Sequence, residues 1–229
     1  MLSSLLRNGF STESLILLLL SIPCIIIALT VHEYSHGYAA YKLGDDTARN
    51  YGRLTLNPAK HFDLFGTLFM LAFGFGWAKP VPINTRNFKS FKKGIVITAA
   101  AGPASNLIMG VIATVLNALT AFLMINVMNA VPETLFLFLS VLNDFLYIFA
   151  FMNFSLALFN LIPIPPLDGS RILFAFLPDE LHQKLMRYER IIMIVFLIIL
   201  WSDIIPLPTG GIAQWLYSLI FRGILKILL

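Results

Sequence analysis

Two histidines four residues apart with a glutamate beside the first, His32, Glu33 and His36 in HEYSH, are the residues of this chain best suited to chemistry. In a helix, positions four apart lie about 40° around the axis and one turn along it, so both imidazoles can reach one metal ion. Glu33 is then suited to polarising a metal-activated water rather than to ligation. Catalytic zinc usually takes three protein ligands and leaves a fourth position open, so the pair is one ligand short. His61, Asp63, Asp144 and Asp168 are the candidates for the third. Asp168 is favoured: it follows Pro163, Pro165 and Pro166 in FNLIPIPPLDGS, where the chain leaves helical geometry and a short carboxylate can be aimed inward. Gly169 permits a close turn beside it. Asp144 reads as a lone polar residue near the opposite face, and His182 as a solvated helix residue. The only cysteine, Cys24, sits in an apolar run, which excludes an intrachain disulfide and Cys-based zinc motifs.

The elements that must carry these residues are apolar. Of 229 residues, 58% are hydrophobic and 12% charged, against about 45–50% and about 25% in soluble domains. The mean hydropathy is +0.83. A water-soluble globule of this size could not hide that much apolar surface, so the natural solvent is a bilayer. Residues 14–31 are uncharged and the helical pattern runs on through HEYSHGYAAYKLG to a stop at Gly44. The absence of a basic cluster before this run and of a small-residue cleavage site after it argues against a signal peptide. Residues 64–78 are short and glycine-studded, suiting a re-entrant element. WAKPVPINTRNF suits an edge strand or hairpin able to pair with an extended substrate. Residues 94–132 predict a tilted helix with a turn near 126–132, residues 135–161 the next span, and 188–205 another; 211–229 either span or lie in the interface. The expectation is an all-α polytopic membrane protein: a bundle of about four to six transmembrane helices with a re-entrant element and a small β-hairpin. It forms one domain over 1–229.

Charge orients the bundle. Nine of the 16 basic residues fall between Lys42 and Lys93, none between 126 and 133, and four between 162 and 190. Cytoplasmic loops collect Lys and Arg, so His32 to His36 and Asn160 to Asp168 both face the cytoplasm. This placement explains the net charge of +4 without a nucleic-acid partner.

Five ordered motifs, HEYSHGYAAYKLGDDTA, GRLTLNPAKHFDLFGT, GWAKPVPIN, AGPASN and FNLIPIPPLDG, resemble the site-2 protease family of intramembrane zinc metalloproteases. The match is with its compact branch lacking PDZ and CBS domains, and it covers residues 32–177. The resemblance implies a Zn2+ cofactor held by His32, His36 and Asp168, with Glu33 as the catalytic carboxylate. It also implies that Asn160 helps bind substrate or the oxyanion, that Asn106 faces the site, and that His61 with Asp63 forms a branch-specific pair in substrate binding or in support of the ligands. Small-residue helix packing is the competing reading of Asn106. The implied partners are a transmembrane protein substrate and the lipid bilayer, in a bacterial cytoplasmic membrane. The chain departs from the branch at Ser170, where LDGG is usual, and in lacking a proline soon after Thr67. A zinc transporter or a non-catalytic membrane scaffold is the alternative. A transporter needs carboxylates and histidines arrayed along a path, whereas these cluster at one face.

Overall fold

Uncharged stretches long enough to cross a bilayer become the longest helices. The computed structural model describes residues 12–63, 66, 78–127, 131–201 and 208–229. Among them are seven α-helices: α1 (Thr12–Lys42), α2 (Thr47–Asn50), α3 (Phe91–Val127), α4 (Glu133–Asn160), α5 (Asp168–Phe174), α6 (Asp179–Trp201) and α7 (Thr209–Leu228). Single 3-10 turns occupy Pro58–Lys60 and Thr85–Asn87. Among the described residues, four helices are long and apolar enough to cross a membrane: Leu15–Lys42, Phe91–Asn126, Glu133–Asn160 and Thr209–Leu228. The last-named segment therefore has the length to span. Of the span expected at 188–205, residues 188–201 belong to α6 and the remainder lies outside the described residues.

The central pair is α3 against α4, with α1 and α7 packed on both. Lipid tails are as apolar as any side chain, so such helices associate by close packing and polar contacts rather than by a hydrophobic drive. Ala113, Ala150 and Ala213 bring three backbones together around the buried Phe154 and Tyr217. A Cβ on Gly110 would lie 2.7 Å from the Phe154 ring, so that approach requires the glycine. Asn117 donates to the Asn143 carbonyl at 2.7 Å and accepts from the Tyr217 hydroxyl at 2.6 Å, tying α7 to α3 and α4. Ile16, Leu19, Ile108, Ile112, Leu137 and Phe138 stand exposed. An apolar exterior over a small-residue and amide-lined interior is the inverse of a soluble globule, as a hydrocarbon solvent requires.

The expected β-hairpin is not formed: no strand occurs among the described residues. Pro80 and Pro82 have no N–H to give to a ladder, and the donors around them are each used singly. Lys79 N–H donates to the His61 carbonyl at 2.9 Å, Val81 N–H to the Glu33 carboxylate at 2.9 Å, and Asn84 N–H to Asp45 at 2.8 Å. Residues 79–84 thus form an extended strap pinned to the end of α1. The re-entrant element expected at 64–78 lies, apart from residues 66 and 78, outside the described residues.

Candidate metal centre

His32 and His36 project from one face of α1, in its last turns before Gly44 takes a φ of +104° and ends the helix. Asp168 begins α5, after the seven-residue break that follows α4. A Cβ on Gly169 would sit 2.2 Å from the Leu161 carbonyl oxygen, so glycine alone lets the LDG turn fold back onto the end of α4. The departing residue Ser170 is buried and donates its hydroxyl to the Leu167 carbonyl at 2.7 Å, closing that turn.

These two ends meet. His32 Nε2 and His36 Nε2 are 3.0 Å apart, and each is 3.2 Å from Asp168 Oδ2. Tetrahedral zinc with bonds of about 2.0–2.1 Å would set its ligand atoms roughly 3.3 Å apart. The triangle is already of that size.

The second ring nitrogens decide what the first can offer. His36 Nδ1 lies 2.7 Å from the Thr98 carbonyl, which only accepts, so Nδ1 carries the proton. His32 Nδ1 lies 2.5 Å from Asn106 Oδ1. The Asn106 amide donates its N–H groups to Asn153 Oδ1 at 2.8 Å and to the Ala28 carbonyl at 3.3 Å, which fixes its oxygen as the acceptor facing His32. Both Nε2 atoms therefore present lone pairs. Asp168 Oδ2 is buried with no hydrogen-bond partner. Three buried acceptors facing one another repel unless a cation lies between them, so the donor set fits a divalent metal.

Two neighbours of this arrangement escape a reading of the sequence. Gly102 lies against both imidazoles: a Cβ there would be 2.3 Å from His36 Nε2 and 2.6 Å from His32 Cε1. The Thr98 carbonyl belongs to the same stretch of α3. The signal in the sequence is AGPASN, whose small residues read as helix packing and whose Asn106 is implied to face the site, but neither reading places Gly102 against the imidazoles.

The remaining candidates lie outside the group of three ligand atoms. Glu33, half-buried, has one carboxylate oxygen on Val81 N–H. Asn160 is the last residue of α4 and donates its amide to the Leu156 carbonyl one turn back, at 2.9 Å. His61 is buried and its Nε2 donates to the Thr55 carbonyl at 2.7 Å, while its main-chain oxygen accepts from strap residue Lys79. Asp63 accepts from Gly66 N–H at 2.8 Å. Asp144 is exposed on α4, eleven residues from its start. Among the described residues, His32, His36 and Asp168 are the one group of three ligand-bearing side chains close enough to share a metal.

Comparison with known proteins agrees with this chemistry. The profile of peptidase family M50 matches residues 20–202. YwhC of Bacillus subtilis, named as a zinc metalloprotease, is 42% identical over 192 residues, covering 83% of this chain and 82% of YwhC. Rip2 of Mycolicibacterium smegmatis, also named as a zinc metalloprotease, is 28% identical over 86% of this chain and 69% of its own length. Rip2 of Mycobacterium tuberculosis H37Rv is 28% identical over 85% and 71%. No solved structure matches the chain.

Proposed function

The chain belongs to peptidase family M50, and on that premise we propose that it hydrolyses peptide bonds within or near the transmembrane segments of membrane-protein substrates. It is a zinc metalloprotease, and among its described residues four helices are long and apolar enough to span. The observation that carries the finer reading is the convergence of His32 Nε2, His36 Nε2 and Asp168 Oδ2 within 3.2 Å, with both imidazole tautomers set so that lone pairs face inward.

His32, His36 and Asp168 would hold the zinc, which when bound would supply the Lewis acidity that makes water a nucleophile at neutral pH. Glu33 follows His32 directly and keeps its second carboxylate oxygen for the proton that the attacking water gives up, then returns it to the leaving amine. Asn106 and Thr98 hold the imidazoles in the ligating tautomer. Asn160 serves as the oxyanion donor once its amide leaves the Leu156 carbonyl, a contact worth about 3–4 kcal/mol in a site that excludes water. The distribution of Lys and Arg supports a cytoplasmic-membrane enzyme with this site at the cytoplasmic face.

Glu33→Gln separates the roles. Purified variant protein should keep one zinc per chain and lose cleavage by at least a hundredfold. The readout is fragment formation from single-span membrane proteins co-expressed with each form. A variant that still cuts removes Glu33 from the mechanism, and one that sheds zinc makes Glu33 part of the metal site.

A further inference from the structure

The strap of residues 79–84, with the 3-10 turn to Asn87 that continues it, is held at three points, one on α1 and two in the segment that follows α1. At its start, Arg53 Nη2 donates to the carbonyls of Lys79 at 2.7 Å and Pro80 at 3.3 Å. In its middle, Val81 N–H donates to Glu33 Oε2 at 2.9 Å. At its far end stands Asp45, in the loop that follows α1. One Asp45 oxygen accepts from Asn84 N–H at 2.8 Å; the other accepts from the Asn87 amide at 2.7 Å, from Thr47 N–H at 3.1 Å and from the Thr47 hydroxyl. Asp45 is 0% exposed and Val81 7%.

A carboxylate wholly withdrawn from water is costly unless its lone pairs are filled, and Asp45 fills them with four donors. Two of the four come from the strap. Where Val81 settles, α1 is bare: a Cβ on Gly37 would be 3.1 Å from Val81 Cγ1, so no side chain holds the strap off the helix. The strap can therefore lie close enough to put a main-chain donor on Glu33. A carboxylate has two oxygens, and the strap takes one of them. This fixes the side chain's direction and leaves the other oxygen free.

We propose that Asp45 is a positioning residue for Glu33: by holding Asn84 and Asn87 it keeps the strap on α1, and the strap's Val81 N–H in turn holds the Glu33 carboxylate in its working direction. The proposal rests on the reading of Glu33 as the general base. A positioned carboxylate reacts from one rotamer, whereas a free one spends most of its time elsewhere, so the loss on release appears in the chemical step.

The test compares full-length wild type with Asn87→Ala and Asp45→Ala in detergent, each loaded with zinc. Asn87→Ala removes one tether and leaves Asp45 its other donors, so it keeps the experiment informative where Asp45→Ala folds poorly. The expected result has three parts. Hydrogen exchange over residues 79–87 rises while that over α1 stays put. Zinc remains at one per chain. The kcat falls about threefold in Asn87→Ala and at least tenfold in Asp45→Ala with KM unchanged. Unchanged kcat with a loosened strap overturns the proposal, as does a rise in kcat, which would make the strap a lock on Glu33. Loss of zinc in parallel with activity overturns it too, by reducing Asp45 to general support. If zinc-loaded wild type shows no Glu33-dependent cleavage, the functional reading fails instead, and the exchange measurement still reports whether Asp45 holds the strap.

Discussion

At the scale of single residues, the metal site is made as much by what its neighbours lack as by what they donate. Alanine has higher helix propensity than glycine by about 1 kcal/mol, and on that ground Gly102→Ala should stabilise α3. The 2.3 Å approach of its Cβ to His36 Nε2 decides the other way, because the imidazoles must move off the metal position. We expect Gly102→Ala to purify with well under half a zinc per chain by elemental analysis. Asn106→Ala should remove the acceptor that fixes the His32 tautomer and weaken zinc binding about 10–100-fold in chelator competition. The sequence makes His32, Glu33 and His36 legible because their relation is local to one helix, and Asp168 because prolines break the chain just before it. It does not make Gly102, the Thr98 carbonyl or the amide chemistry of Asn106 legible, since these matter only once α3 lies on α1, a contact between residues more than 60 positions apart.

At the scale of elements, hydropathy and breakers foretell α1, α3, α4 and α7 within a few residues, whereas α6 begins at Asp179, nine residues before the span expected from 188, and is not one of the four helices apolar enough to cross among the described residues; the strap is where pattern reading fails. Alternating prolines and apolar residues look like an edge strand. Yet a strand is defined by its partner, and here the main-chain donors go to Glu33, Asp45 and His61. Asp45 itself gives this element a signature in pH. Burial would raise its carboxyl, but hydrogen bonds from Thr47, Asn84 and Asn87 prevail and hold it below the ordinary value. A lowered folded-state pKa contributes stability above the unfolded value, near 4, and that contribution is lost as pH falls through the folded value. Asp45→Asn should therefore be less stable than wild type at pH 7, with the difference in melting temperature shrinking below about pH 4. Equal melting curves for the two proteins across that range would show that the carboxylate contributes nothing to the loop.

At the scale of the whole molecule, polar contacts inside an apolar bundle decide how the helices sit. Tyr217 gives α7 its hydroxyl contact with Asn117, and hydrogen bonds of this kind between membrane helices are worth about 0.6 kcal/mol on average and at most roughly 1.7. Tyr217→Phe should lower stability in detergent unfolding by that amount without altering zinc content, since the hydroxyl bonds Asn117 and none of the three proposed ligands. Asn106 with Asn153, and Asn117 with Asn143, join α3 to α4 at two levels three turns apart. Sliding one helix past the other by a turn would break both pairs at once and strand four amides in a medium that cannot solvate them. The two halves of the metal site ride on these helices, His32 and His36 through their contacts with α3 and Asp168 through the end of α4. Their axial registry is therefore fixed by these amide pairs, and on the proposed function room for a peptide is to be sought outside the α3–α4 contact.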